Sequence, residues 1–311
     1  PRQDTVFDCL LTQGEKAAMK NIGGQAVIEG VMMKSPGNWT VAVRDQQGTL
    51  HLKKERLSKL PRFVKLPLLR GVIALFHAVS LGVKAIEFSA GKAFSDEDEE
   101  SPGPLSIALT IAVSFILSVG LFILLPLYAT KLLGLVFPHI SANSLLFNFT
   151  DGVVRVLVFL LYVVLIGVWK EMARVFMYHG AEHKAIHAYE EGKELTVENV
   201  RGYSTLHPRC GTSFLMIVMV VSILVFSCIP HTWTFLYKFL ARIVLIPLIA
   251  GSSFELLKFS ARLQDNPFMK LLIQPGLMLQ RLTTREPDDS QIEVAISALA
   301  EVLKLEEENA G

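Results

Sequence analysis

Residues 105–129 read LSIALTIAVSFILSVGLFILLPLYA and include no charged side chain. A helix of about 20 apolar residues is long enough to cross the hydrocarbon core of a bilayer. Three other stretches are similarly apolar, at residues 153–169, 213–229 and 235–254. Because unpaired backbone amides are costly in lipid, each stretch is expected to be helical. The sequence therefore predicts a mostly α-helical membrane protein with about four transmembrane helices.

The composition supports the same class. The chain has 311 residues, of which 51% are hydrophobic and only 19% are charged, whereas a typical soluble domain has about 25% charged residues. The formal net charge of +1 excludes a generally basic nucleic-acid-binding protein, whose affinity comes from neutralising phosphates. The expected partner is the lipid bilayer, with no nucleic acid. Three cysteines are too few for a disulfide framework and favour a reducing compartment.

The distribution of lysine and arginine predicts the orientation. Basic residues are concentrated before the first span, between the second and third spans, and after the fourth. Because cytoplasmic loops carry an excess of lysine and arginine, both termini and the loop at residues 170–212 are expected to be cytoplasmic. This gives a multi-pass bundle over residues 105–260.

A fifth apolar stretch, residues 66–92, carries a narrow polar stripe. Arg70, His77 and Lys84 recur every seven positions on an otherwise apolar helix. If this helix crossed the membrane, the basic residues before it would lie outside, against the charge rule. We therefore expect an in-plane amphipathic helix that is interfacial or re-entrant.

The remaining chain is expected to form a small cytoplasmic α+β portion. Residues 40–44 and 49–53 alternate in polarity around the turn at 45–48, which predicts a β-hairpin. A capping box at residues 290–293 predicts a C-terminal helix. Residues 1–18 are predicted to be a dispensable extension, and residues 19–65 a β-rich segment. Residues 93–104 are predicted to be an acidic linker, and residues 261–311 a C-terminal helical region.

A first group of candidate metal ligands lies in residues 178–190, YHGAEHKAIHAYE. On a helix His179, His183 and His187 are successively one turn apart, so neighbouring pairs can converge on one metal ion. Glu182 is a candidate general base for a water molecule on that metal, and the pattern His-x-x-Glu-His matches the inverzincin motif. Alternatively, this is a polar interfacial helix whose imidazoles bind water, backbone or carboxylates.

A second group, residues 207–213, reads HPRCGTS and precedes the third span. Imidazole and thiolate are good zinc ligands, which makes His207 and Cys210 candidates. The two groups lie at the ends of one loop, where two spans are expected to emerge side by side. His183 or His187 can then form one site with His207 and Cys210. Alternatively, these two residues only cap the third helix, with Thr212 or Ser213 as the N-cap.

Other ionisable residues are weaker candidates for the site. Glu255 and Lys258 are one turn apart at the end of the fourth span, where an ion pair is the simpler interpretation, although Glu255 is also a candidate third ligand. Gly30 lets the backbone come close at Glu29, so that this side chain could point into the site. The second-tier candidates are Glu29, Arg70, Arg209 and Glu255.

Five further stretches of the chain form a recognisable set: GGQAVIEGVMM at residues 23–33, LRG at 69–71, HGAEHK at 179–184, HPRCGTSF at 207–214 and QPGLMLQRLTTREP at 274–287. In these stretches the chain resembles the YqhQ-like family, a family of bacterial membrane proteins of unknown function described as predicted metal-dependent enzymes. The resemblance implies a bacterial inner-membrane protein that uses a metal. It implies no particular substrate.

The leading functional hypothesis is a metal-dependent hydrolase-like enzyme, with zinc as the expected ion and its site at the cytoplasmic membrane interface. The alternative is a non-enzymatic transporter or assembly factor with a structural metal or none. An ion-coupled transporter is expected to carry ionisable residues near the bilayer midplane or broken helices. The predicted span interiors are nearly free of charge, which argues against transport.

Overall fold

The computed structural model describes residues 22–57, 66, 68–93, 103–230, 232–262 and 267–310. The predicted extension, residues 1–18, and the acidic residues 96–100 of the predicted linker lie outside this description. The strands form one antiparallel sheet in the order of the chain, and they are β1 (Gly23–Val27), β2 (Gly30–Lys34), β3 (Asn38–Arg44) and β4 (Leu50–Arg56). The β-rich segment predicted at residues 19–65 is therefore a four-stranded meander over its described part.

The predicted hairpin is confirmed as β3 and β4, in which Arg44 pairs with Leu50 and Val43 with His51. Asp45 shapes the turn, because its Oδ1 accepts hydrogen bonds from the backbone N–H groups of Gln47 at 2.9 Å and Thr49 at 2.7 Å. Such bonds from an aspartate to nearby backbone are typical of tight turns.

The rest of the described chain is helical. The helices are α1 (Leu69–Ala93), α2 (Pro104–Val119), α3 (Leu125–Val136), α4 (Pro138–Ala142), α5 (Ser144–Ile166), α6 (Lys170–Glu190), α7 (Val197–Arg201), α8 (Gly211–Phe226), α9 (Phe235–Arg262), α10 (Pro267–Thr283) and α11 (Asp289–Ala310). A π-helical turn, Gly120–Leu124, joins α2 to α3 without a break.

The sheet is buried on both faces. Val31, Met33 and Ala42 lie in one apolar cluster with α6 and α11. Met32 and Val41 belong to a second cluster with α1. Successive strand residues point to opposite faces, so both faces of β2 and β3 are apolar, and the sheet forms a middle layer between α1 on one side and α6 and α11 on the other.

α11 begins with a capping box, two residues earlier than predicted. Asp288 Oδ1 accepts from the N–H of Gln291 at 2.9 Å, and Gln291 Oε1 accepts from the N–H of Asp288 at 3.0 Å. The predicted box at residues 290–293 is therefore replaced by an equivalent Asp–Gln pair, which satisfies two backbone donors at the start of the helix.

Four helices are long and apolar enough to cross a membrane by length and composition, and they are Leu69–Ala93, Ala108–Val136, Ser144–Ile166 and Phe235–Phe259. Three of them overlap predicted spans. The predicted span at 213–229 corresponds to α8, which has 16 residues and is shorter than the usual length of about 20. The remaining one of the four long apolar helices is α1, for which the sequence predicted an in-plane position.

The predicted span at 153–169 begins too late, because α5 starts at Ser144 behind an N-cap, Asn143. The helix includes Asp151, whose carboxylate accepts from Arg155 Nη2 at 2.7 Å and from Arg242 Nη1 of α9 at 2.8 Å. The expectation of span interiors nearly free of charge is therefore wrong for α5 and α9. Mutual pairing makes their charges tolerable in an apolar helix.

α1 runs from the helical bundle to the sheet. At its first turn, Leu68 and Gly71 pack against Gly251 and Phe254 of α9, so closely that a Cβ atom at residue 251 would lie 2.7 Å from the Leu68 carbonyl oxygen. At the other end, Ala93 is buried in the cluster on the sheet. α1 therefore connects the apolar helices to the sheet and forms one wall of the space between them.

Candidate metal centre

Two sequence-distant stretches meet where α6 passes the start of α8. His179 and His183 are one turn apart on α6, and Cys210 is the N-cap residue of α8. One ligand atom from each of the three lies within 4.8 Å of the other two. The structure thus brings together the histidine-rich helix and the loop at residues 207–213, as the predicted topology requires.

Backbone carbonyls determine the tautomers of both imidazoles. His179 Nδ1 donates to the Thr283 oxygen at 2.9 Å, and His183 Nδ1 donates to the Thr205 oxygen at 2.5 Å. A carbonyl oxygen can only accept, so Nδ1 carries the proton and Nε2 presents a lone pair when the ring is neutral. Metal-binding histidines usually donate their other ring nitrogen in this way.

The two Nε2 atoms face the interior of the cluster. His179 Nε2 lies 3.2 Å from Cys210 Sγ. His183 Nε2 is buried and has no hydrogen-bond partner among the residues that the structure describes. Burial lowers the pKa of His183 to about 2, so its ring is neutral at physiological pH. A buried lone pair without a partner is costly, and a cation would satisfy it.

Cys210 places its sulfur atom in the cluster and caps α8. Its Sγ accepts from the N–H of Thr212 at 3.5 Å and from Thr212 Oγ1 at 3.3 Å, so the N-cap is Cys210 itself and not the predicted Thr212 or Ser213. Burial raises the pKa of the Cys210 thiol, and a coordinated cation would displace its proton. Two imidazole nitrogens and one thiolate sulfur form a donor set that suits zinc and leaves one position open.

The other predicted ligands form a second group. His187 and His207 lie with Glu190, and their ligand atoms are within 4.8 Å of one another. These atoms already have partners: His187 Nε2 donates to the Leu206 oxygen at 2.9 Å, and Glu190 forms an ion pair with Arg209. His207 Nδ1 accepts from the Arg209 N–H at 3.3 Å, and its Nε2 lies 3.4 Å from Glu190 Oε2.

The predicted ligands are thus divided between two neighbouring groups. The imidazole centroids of His183 and His207 are 5.7 Å apart, so the groups are adjacent. The group of His179, His183 and Cys210 contains the unpartnered nitrogen, whereas the second group is a closed hydrogen-bond network. The first group therefore fits a metal ion better.

Glu182 lies beside the first group. It is buried, and its carboxylate accepts a hydrogen bond from the N–H of Gly24 in β1. A Cβ atom at residue 24 would lie 2.8 Å from Glu182 Cδ, so glycine permits the close approach. Burial raises the pKa of Glu182 to about 8, although His179 opposes the shift. The side chain can therefore hold a proton near neutral pH.

A cavity of about 530 Å³ opens next to these residues, between β1, β2, α1 and the loop before α8. Glu182, His183 and Cys210 line it, together with Arg209. Cavities that bind small molecules typically measure about 300–1,000 Å³. The candidate metal centre thus adjoins a space of suitable size for a ligand.

The four second-tier candidates, Glu29, Arg70, Arg209 and Glu255, differ in their position relative to the cavity. Glu29 pairs with Arg174 and accepts from the Tyr178 hydroxyl at 3.2 Å, apart from the cavity. Arg70 and Glu255 form an ion pair between α1 and α9, with Arg70 Nε 2.5 Å from Glu255 Oε1. The partner of Glu255 is therefore Arg70 and not the predicted Lys258. Among the four candidates, Arg209 lines the cavity.

Sequence reasoning missed several supporting groups. Gln280 of α10 fixes the loop before α8, because its Oε1 accepts from the His207 N–H and its Nε2 donates to the His207 carbonyl, each at 2.8 Å. Glu190 was also missed, although its position three residues after His187 on one helix was a usable signal. The roles of the Thr205 and Thr283 carbonyls could not be predicted, because every residue type has the same backbone carbonyl.

Replacing Gly180 by alanine should destabilise the protein by about 1–3 kcal/mol, as is typical of overpacking. A Cβ atom there would lie 2.1 Å from the Arg285 carbonyl oxygen, and the Arg285 N–H is held by the Phe176 oxygen at 2.9 Å. Thermal denaturation in detergent measures the effect. Gly202→Ala is the control, because no atom lies within 4 Å of the added Cβ. Equal melting temperatures for the two variants would contradict the close packing.

The chain is thus a protein with apolar helices long enough for a membrane, a small sheet, and a histidine–cysteine cluster between them. It belongs to the family described as "Protein of unknown function (DUF1385)", whose model matches residues 66–305, and the predicted family resemblance is confirmed. It is 36% identical over 299 residues to "Uncharacterized protein YqhQ" of Bacillus subtilis (strain 168), and the aligned region covers 91% of this chain and 92% of that protein. No solved structure matches the chain.

Proposed function

We propose that the protein is a zinc-dependent, hydrolase-like enzyme of the inner membrane, with its site at the cytoplasmic interface. The observation that carries the proposal is the buried Nε2 atom of His183, which has no partner in the described chain and lies in a group with His179 and Cys210. The adjoining cavity supports an enzyme because it gives a ligand access to the same group.

The path of the chain supports a four-crossing arrangement. α1 runs from α9, which its first turn contacts, to the sheet, where Ala93 is buried. If α1 crossed the membrane, the basic residues before it would lie outside, against the charge rule. This favours an in-plane position for α1, despite its apolar length. Crossings by α2–α3, α5, α8 and α9 then return the chain to the side where it began, so both termini are cytoplasmic, as the basic residues favour.

The residues of the chain have distinct roles in this proposal. His179, His183 and Cys210 would hold the ion, and Thr205 and Thr283 fix the two imidazole tautomers through their carbonyls. When bound, zinc supplies Lewis acidity that activates water at neutral pH.

Glu182 lines the cavity beside the metal group, where its carboxylate can accept a proton from an attacking water and return it to a leaving group. The N–H of Gly24 orients that carboxylate, and Ala78 and Leu81 of α1 form an apolar part of the cavity lining. The reaction type is therefore hydrolysis of an ester, amide or phosphoester.

Glu182→Gln should abolish hydrolysis while leaving zinc binding intact. General acid–base catalysis typically contributes about 10²–10⁴-fold, so the rate should fall by roughly that factor. Release of p-nitrophenol from its phosphate and acetate esters measures the rate, and metal analysis of the same samples measures zinc. Glu29→Gln is the control, because that carboxylate pairs with Arg174 away from the cavity. Equal rates for Glu182→Gln and wild type would refute the catalytic role.

A transporter is the second candidate function. It is favoured by Asp151, Arg155 and Arg242, which lie buried within two apolar helices, since ionisable residues at such depths often mark ion pathways. Their mutual ion pairs also fit a purely structural role. The stability of variants at Asp151 separates the two roles.

A further inference from the structure

Lys184 is a buried lysine on α6 that the proposed reaction does not use. It directly follows His183, and its side chain is 3% exposed. Its Nζ donates to the Arg201 carbonyl oxygen at 2.7 Å and to Glu286 Oε1 at 2.5 Å. Burying an ammonium group is costly, whereas an apolar side chain of similar length fills such a space without that cost. The two polar contacts therefore account for a lysine at this position.

The first partner of Lys184 belongs to the loop that supports His183. Arg201 is the last residue of α7, and lysine side chains can donate to the orphan carbonyls at the C-terminus of a helix. Four residues further along, the Thr205 oxygen accepts from His183 Nδ1 at 2.5 Å. Because His183 and Lys184 are neighbours on α6, the loop is held to adjacent positions of one helix.

The second partner of Lys184 belongs to the connection between α10 and α11, which supports His179. The Thr283 oxygen accepts from His179 Nδ1 at 2.9 Å, and Glu286 follows three residues later. Glu286 lies at the surface, with its side chain 71% exposed, and reaches back to the buried ammonium. The connection is thus held to α6 at both His179 and Lys184.

The loop and the connection meet over Gly180, one turn before Lys184. A Cβ atom at residue 180 would lie 2.1 Å from the Arg285 carbonyl oxygen and 3.2 Å from Thr205 Cγ2. Both segments therefore pack directly on α6 between the two metal-binding histidines and Lys184, and a shift of either segment would move a carbonyl that fixes an imidazole.

A surface ion pair, Arg201 with Asp289, also links the two segments. Both side chains of this pair are more than half exposed, so its contribution is small. The contacts of Lys184 are shielded from water and are screened less by salt. Lys184 is therefore the stronger link, and it joins both segments to the helix that carries the histidines.

We propose that Lys184 is a positioning residue of the metal centre, which keeps the carbonyls of Thr205 and Thr283 against the metal-binding imidazoles. This rests on the proposed function, because the ion concerned is the zinc of that site. Without Lys184, the two carbonyls can move away and the rings can rotate, so that their Nε2 atoms no longer converge on one ion. Loss of a group that orients a metal ligand typically weakens metal binding about 10–100-fold.

Lys184→Met should weaken zinc binding by the purified protein in detergent about tenfold, the lower end of that range, because Lys184 acts through the backbone. Competition with a chromophoric chelator measures the affinity, below the melting transition of every variant. Cobalt in place of zinc reports the coordination geometry through its visible absorption, and the spectrum of Lys184→Met should differ from that of the wild type.

Lys170→Met is the matched control. It makes the same substitution on the same helix at an exposed position, so its zinc affinity and cobalt spectrum should equal those of the wild type. A purely structural lysine at residue 184 would lower the melting temperature of the metal-free protein but leave the affinity and the spectrum unchanged. That result would overturn the proposal, as would an equal loss of affinity in Lys170→Met.

If Lys184→Met does not fold, Glu286→Ala decides. The Glu286 side chain is mostly exposed, and substitutions at the surface usually change stability little. Glu286→Ala should still weaken zinc binding, because it removes one of the two contacts of Lys184, and wild-type affinity in this variant would overturn the proposal.

The positioning role and the proposed function fail in different ways. Wild-type zinc affinity in Lys184→Met and Glu286→Ala would remove the positioning role and leave the zinc site in place. Zinc binding that depends on Lys184, without hydrolysis of any ester, would remove the enzymatic function alone. Absence of zinc binding by the wild type would refute both.

Discussion

His183→Ala should reduce the zinc content of the purified protein from about one ion per chain to background. The imidazole of His183 is buried and neutral, and its Nε2 has no partner in the described structure. The remaining ligands would be one imidazole and one thiol, whereas zinc sites in proteins use at least three side chains. Elemental analysis of protein purified in detergent, together with zinc titration after chelation, measures the change.

His187→Ala is the matched control. Both residues are histidines on the same helix, and His187 is one turn further along, but its Nε2 donates to the Leu206 carbonyl at 2.9 Å. This variant should keep its zinc, and Cys210→Ser should lose most of it. If His187→Ala loses zinc while His183→Ala retains it, the ion belongs to the second group. Absence of zinc from wild-type protein after titration would remove the metal centre altogether.

The sequence could predict which stretches meet at this site but not how they divide into two groups. A helical spacing of four places His179, His183 and His187 on one face, and the loop topology brings residues 207–213 beside them. The division of the ligands into two groups depends on which ring nitrogen of each histidine donates to a backbone carbonyl. Those carbonyls belong to Thr205, Leu206 and Thr283. Because every residue type has the same backbone oxygen, the pattern of side chains does not predict how the histidines divide into two groups.

Local pattern predicted the sheet well and the limits of the apolar helices less well. Alternation around Asp45 predicted the β3–β4 hairpin, because one strand pair and its turn are contained in a few residues. The predicted start of α5 at residue 153 excludes Asp151, because an unpaired carboxylate looks incompatible with a span. The compensating Arg242 lies 91 positions after Asp151, and no local window includes both.

Asp151→Ala should destabilise the protein by about 3–5 kcal/mol, the usual cost of breaking a buried ion pair. Asp151 is the carboxylate shared by Arg155 and Arg242, at 2.7 Å and 2.8 Å, and Arg242 is fully buried. Removing the carboxylate would leave two guanidinium groups near each other in an apolar environment. Thermal and denaturant unfolding in detergent, followed by tryptophan fluorescence, measures the loss.

Glu55→Ala is the control for removal of a paired carboxylate. Glu55 contacts Lys53 at 3.1 Å, but the two side chains are 40% and 34% exposed, so the loss should stay below about 1 kcal/mol. A large effect at Asp151 and a small one at Glu55 would indicate that the cluster holds α5 against α9. If Asp151→Ala were as stable as wild type, the two arginines would tolerate loss of their partner. The cluster could then change its charge state without unfolding the bundle. This result would favour a role in transport over a purely structural role.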